Sequence, residues 1–182
     1  MKKTIKAFAV AFVSIVCVNS ASAQSVSANS NATGTIVTPL SITHGNDLAF
    51  GNMAVLTGGG TVILTPAGTR TPSGDVTLPV PTGTFTAASF TIHGAVGDTY
   101  HITLPSGTVT LTDGIGGAGH TMDLGTWKSN YSPASTGTLD GTTGDDALTI
   151  GATLTVGGSQ VPGTYSLIGT GGTGVFSIVV SY

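Results

Sequence analysis

The sequence predicts an all-β protein, an antiparallel immunoglobulin-like β-sandwich, on three observations. Apolar residues alternate with Thr and Ser through nearly every hydrophobic run, as half-buried antiparallel strands require. Clusters of Gly, Pro and Asp separate these runs at short intervals. Beyond the first two dozen positions, no window longer than about eight residues combines helical periodicity with helix formers.

The chain begins with Lys2, Lys3 and Lys6, then an apolar run from Ala7 to Val18 that is too short to span a bilayer. Ala21-Ser22-Ala23 is a small-x-small cleavage site, so residues 1–23 read as a secretory signal and Gln24 as the mature start. A lipoprotein would use Cys17, but Ser14-Ile15-Val16 lacks the small residue usually needed just before it. Residues 24–33 are small and polar, with Val26, Ala28 and Ala32 on one parity. They read as a flexible lead or as a strand awaiting a partner. The sandwich is expected over residues 34–182.

The strands follow in order. Ile36, Leu40 and Ile42 share a parity, as do Phe90 and Ile92, then Tyr100, Ile102 and Leu104. Val109 with Leu111 and Met122 with Leu124 come next. Leu148, Ile150, Ala152, Leu154 and Val156 make the longest clean stretch, and Phe176, Ile178, Val180 and Tyr182 close the sequence on one face. Thr suits such strands because its β-branch fits the pleat while its hydroxyl faces water. Turns are expected at Gly58-Gly59-Gly60, Pro72-Ser73-Gly74, Asp113-Gly114, Asp140-Gly141 and Gly157-Gly158. Uneven strand lengths disfavour a closed barrel, and the absence of aromatic girdles disfavours an outer-membrane one.

Removing the signal takes away Cys17, and with it any disulfide or thiolate chemistry. Arg70 and Lys128 then stand against eight acids, all Asp. With no basic patch, nucleic acid and anionic membranes are poor partners. No later segment can span a membrane as a helix. About 159 residues remain, enough for one domain with a core. Recurrent apolar β-formers and low charge exclude disorder.

Candidate chemistry is sparse. His93 and His101 have the parity opposite to their apolar neighbours, so both are expected to face solvent; His44 and His120 fall at or in loops. No His or Cys spacing suits zinc. Asp140-Gly-Thr-Thr-Gly-Asp145-Asp146 could offer oxygens to calcium, but the spacing is not an EF-hand and Asp is an ordinary turn residue. Trp127 and Tyr131 flank Lys128-Ser129-Asn130 and could stack a sugar, although such aromatics commonly pack in a core. No Gly-x-Ser-x-Gly elbow, phosphate loop or acid pair marks a catalyst, and Gly58-Gly59-Gly60 precedes a strand, not a helix. No catalytic, cofactor or metal residue is nominated.

Several phrases carry a resemblance. They are Ile36-Val-Thr-Pro-Leu-Ser-Ile42, Leu48-Ala-Phe50-Gly51, Gly60-Thr-Val-Ile-Leu-Thr-Pro-Ala-Gly-Thr-Arg70, Ala88-Ser-Phe-Thr-Ile-His-Gly94, Tyr100-His-Ile-Thr-Leu-Pro105, Leu148-Thr-Ile-Gly-Ala-Thr-Leu-Thr-Val156 and Pro162-Gly-Thr-Tyr165. Across nearly the whole mature chain they resemble a bacterial domain-of-unknown-function family, number forty-four-oh-two, of exported Ser/Thr/Gly-rich proteins. That family is similar in turn to spore-coat-U-like and archaic chaperone–usher pilin domains. The resemblance implies a pilin-like sandwich with an incomplete sheet, completed by strand addition from another copy of the chain, and a periplasmic chaperone that pairs with the strand ending at Tyr182. Gly169, thirteen positions before Tyr182, is close to the pilin spacing, while the Gly-rich residues 169–174 interrupt what would be one strand. The expected function is non-enzymatic: a fimbria-like or surface-assembly subunit in the periplasm, at the cell surface or outside the cell. The alternative is a carbohydrate- or calcium-binding adhesin domain.

Overall fold

The structure, a computed structural model, describes residues 24–182. The signal expected over residues 1–23, Cys17 included, lies outside the described residues. The chain divides into two units, Met1–Thr35 and Ile36–Tyr182. Of the first, residues 24–35 are exposed and form no strand.

The second unit is all-β, and no helix forms among the described residues. Its strands are β1 (Ser41–His44), β2 (Ala49–Phe50), β3 (Ala54–Leu64), β4 (Arg70–Thr77), β5 (Phe85–Thr86) and β6 (Ala88–His93). Then come β7 (Thr99–Thr103), β8 (Val109–Thr112), β9 (Thr121–Ser129), β10 (Thr136–Thr138), β11 (Asp145–Val156) and β12 (Val179–Ser181). All pairings are antiparallel.

Strand β11 organises the larger sheet. One side of it pairs β6 through Asp145 to Ile150 and then β3 through Ala152 to Val156, while the other side pairs β9. The neighbour changes at Gly151, where the pairing with β9 also slips. A Cβ at Gly151 would lie 2.2 Å from the Leu64 carbonyl oxygen, so only glycine lets the backbones close there. β1, β4 and β8 lie outermost in this sheet, on β6, β3 and β9. A smaller sheet runs β10-β7-β12, and β2 pairs only β5.

Two cores result. One joins Ala88, Ile92, Tyr100, Ile102, Leu139, Leu148 and Ile150, so the smaller sheet lies over the β6 half of β11 and the domain is sandwich-like. The other joins Val62, Leu64, Met122, Leu124, Leu154, Val156 and neighbours over the β3 half. Each of these aliphatic side chains, fully buried, contributes about 1.5–3 kcal/mol relative to exposure. The second core has no matching sheet above it. Its cover is the short β2–β5 pair and the strandless chain between β11 and β12.

Three details differ from the sequence reading. Gly58-Gly59-Gly60 and Pro72-Ser73-Gly74 are not turns: they lie within β3 and β4, where the register shifts between Val55 and Gly60. Gly59 and Gly74 take positive φ at this bulge, and Pro72 is tolerated because β4 is an edge. Ile36 and Ile42 are exposed, because β1 is an edge strand that begins only at Ser41. The strand expected from Phe176 shrinks to three residues, although Phe176, Ile178 and Val180 stay half-buried and Val175 and Val179 point out. Its partner β7 runs out at Thr103, so nothing pairs residues 175–178. Tyr182 is half-exposed; its hydroxyl accepts from the Ala95 N–H at 2.9 Å and donates to the Thr38 carbonyl at 3.1 Å.

Candidate functional site: an apolar groove with two unlike walls

Over the β3–β11–β9 core lies a groove with a cavity of about 890 Å³. Leu154, Val156 and Met122 lie on its floor strands, and Leu48, Phe50 and Phe176 line its sides. Most of the lining is apolar, and the volume falls within the range of binding cavities.

One wall is residues 47–55 with Thr84, and Arg70 at the start of β4 ties it down. The guanidinium donates to the carbonyls of Phe50, Asn52 and Thr82 and lies 4.6 Å from the centre of the Phe85 ring. Three carbonyls on two loops thus converge on one planar fork, an arrangement open to Arg and not to Lys. The Arg70 Nε is buried without a partner. The salt bridges among the described residues are all His–Asp pairs, so Arg70 is held by neutral groups.

The opposite wall is a strap, residues 160–176, that follows the free edge of β8. Thr112 and Ser166 exchange backbone bonds at 2.7 and 2.8 Å, and the Thr110 N–H donates to Thr173 Oγ1. The Gly119 carbonyl, in the loop after β8, faces the Val161 N–H, Gln160 Nε2 and the Tyr165 hydroxyl, each at 2.9 Å. Tyr165, Leu167 and Phe176 turn inward and pack on the core. The strap is therefore held by uncharged bonds alone.

The residues singled out from sequence are engaged elsewhere. His93 Nδ1 is 2.7 Å from Asp145, at the outer end of β11, and His44 pairs Asp47. His120 Nδ1 is 2.6 Å from Asp113; that bond first, with help from the Ile115 N–H, holds the Asp113 carboxyl below its usual range against the opposing effect of burial. Asp140 accepts from the Thr143 and Thr142 N–H groups, which lower its pKa. Asp146 Oδ2 accepts from the Tyr100 and Tyr131 hydroxyls. The three carboxylates of residues 140–146 thus serve three different sets of partners. Among the described residues, no group of three or more His, Cys, Asp or Glu is placed to hold a metal.

Burial first, and the Asp146 carboxylate second, push the Tyr131 hydroxyl up to about 12 and Tyr100 further in the same direction. The Trp127 ring packs against Phe176 with centroids 4.7 Å apart and donates its N–H to Gly107. Both aromatics nominated for a sugar platform are thus committed within the fold. Sequence reasoning missed Arg70 as the tie of the groove wall. The available signal was a lone arginine in a chain nearly without charge.

These features define a class: an all-β, antiparallel, sandwich-like domain with one half of its core under a groove. No helix among the described residues is long and apolar enough to cross a membrane. The chain belongs to the DUF4402 family, a domain of unknown function whose model matches residues 40–182. No curated protein and no solved structure matches it.

Proposed function

We propose that the protein is an exported, non-enzymatic structural subunit of a fimbria-like surface assembly, in which the groove of one copy receives an extended segment of another. The observation that carries this reading is the groove itself: an apolar core on one half of the domain that no strand of its own sheet covers. A monomer rarely leaves such a surface without a partner.

The segment offered is residues 24–33 and the few that follow. They are exposed and without secondary structure, and they carry Val26 at 88% exposure and Ile36 at 101%. The resemblance to pilin-like immunoglobulin folds supports the same arrangement, since strand addition supplies backbone bonds for affinity and side-chain pockets for register. In this reading the unpaired residues 175–178, continuing the free edge of β12, are where a periplasmic chaperone pairs before assembly.

The test is deletion of residues 24–33 followed by electron microscopy and light scattering of surface material. Filaments from the intact protein and monomers from the deletion are the expected pair. Polymers that persist after deletion sink the mechanism, and a monodisperse intact protein sinks the assembly role.

A further inference from the structure

We infer that the strap, residues 160–176, is a built-in cover that swings off the groove to admit a strand, while the opposite wall stays fixed; this rests on the groove being a strand acceptor. The two walls are fastened by unlike means. The fixed wall hangs on a cation with three carbonyls in its fork. The strap hangs on neutral bonds to two places, the Gly119 carbonyl and the free edge of β8. A neutral bond contributes less net stability than a bond to a charged group.

The strap also carries its own hinge. Gly169, Gly171 and Gly174 take positive φ in the stretch where it turns back toward β12. Three such glycines in six residues give the strap a place where its backbone can change direction without side-chain strain. Its Ile168 and Val175 side chains are 76% and 80% exposed, so they add little to holding it down.

The cover has a physical reason. Tyr165, Leu167 and Phe176 lie on the core that an incoming strand would cover. While the strap is closed they shield that core from water and from wrong partners; when it opens, the incoming side chains replace them. Local opening of a weakly held segment, without loss of the sheet beneath, is the kind of sub-global event that loops of low stability undergo.

A reversible lock tests this. Thr112 and Ser166 exchange both backbone bonds, a geometry with Cα atoms about 5.5 Å apart and within disulfide range. In the exported protein, Thr112→Cys with Ser166→Cys should form a disulfide that pins the strap. The probes are hydrogen exchange and capture of a synthetic peptide of residues 24–37. Reduced, the variant should capture the peptide and exchange the Val161, Ser166 and Thr173 amides faster than those of β9 and β11. Oxidised, it should lose capture by about tenfold or more, as the open population falls, and regain it on reduction. Equal capture in both states overturns the inference, as do strap amides as protected as those of β11. Capture absent from both states and from the wild type overturns the strand-acceptor reading instead, and exchange alone then decides the strap. Should the double variant not fold, Tyr165→Phe keeps the ring and removes the hydroxyl; it should speed exchange over residues 161–168 and raise capture, and no change in either overturns the inference.

Discussion

Arg70 and Asp146 each gather several uncharged partners around one head group, Arg70 three carbonyls and Asp146 two phenols. Arg70→Lys keeps the charge and loses the fork, leaving carbonyls of two loops without their common donor. The expected cost is about 2 kcal/mol, read as a lower urea midpoint, with increased exchange around Asn52 and Thr82. An unchanged midpoint contradicts the tie. The two phenols carry a pH signature. Their folded-state pKa values are raised, by burial first and Asp146 second. Their contribution to stability is therefore complete below the unfolded value of about 10 and is lost as pH rises through about 12. The thermal midpoint should hold to about pH 9 and fall from about pH 10 upward. Tyr131→Phe should show a shallower alkaline fall; equal slopes would remove the pair as its cause. Neither role was legible from sequence, because a lone Arg and one Asp among eight differ from ordinary surface residues only by what the fold brings within hydrogen-bond reach of them.

Strand β11 shows how far elements were legible. Its period-two run from Leu148 to Val156 predicts one buried face, and Leu148, Ile150, Ala152, Leu154 and Val156 are all buried. The parity of Ile92, Tyr100, Ile102, Met122 and Leu124 holds in the same way. What the period cannot specify is the neighbour on each side. β11 has one neighbour on one flank and two in succession on the other, and Gly151 marks the change. Gly151→Ala should cost about 1–3 kcal/mol, because its Cβ would meet backbone and not a side chain able to rotate away. Chemical denaturation checks this, and a loss below half a kilocalorie would show that the two backbones can separate. Gly58-Gly59-Gly60 and Pro72-Ser73-Gly74 read as turns in the sequence for a related reason. A tight turn and a bulge on an edge strand call for the same residues, and only the pairing of β3 with β4 distinguishes them.

At the level of the whole molecule, the domain is a sandwich over half of its larger sheet and a groove over the other half. Short strands produce this division: β7 and β12 end after a few residues, and the strandless chain from Gly157 onward must serve as cover. Such a cover cannot satisfy every edge, which is why assembly through the groove and opening of the strap are the proposals the fold supports. Composition and period by themselves determined the all-β class, the inward faces of the central strands and the lack of any nominated catalyst, because these depend on which side chains alternate along the chain. The tertiary structure decided which strands meet, where the covering sheet stops, and that Arg70 fixes one wall of the groove while neutral bonds hold the other. Those depend on contacts between residues far apart in sequence, and local pattern carries no record of such distances.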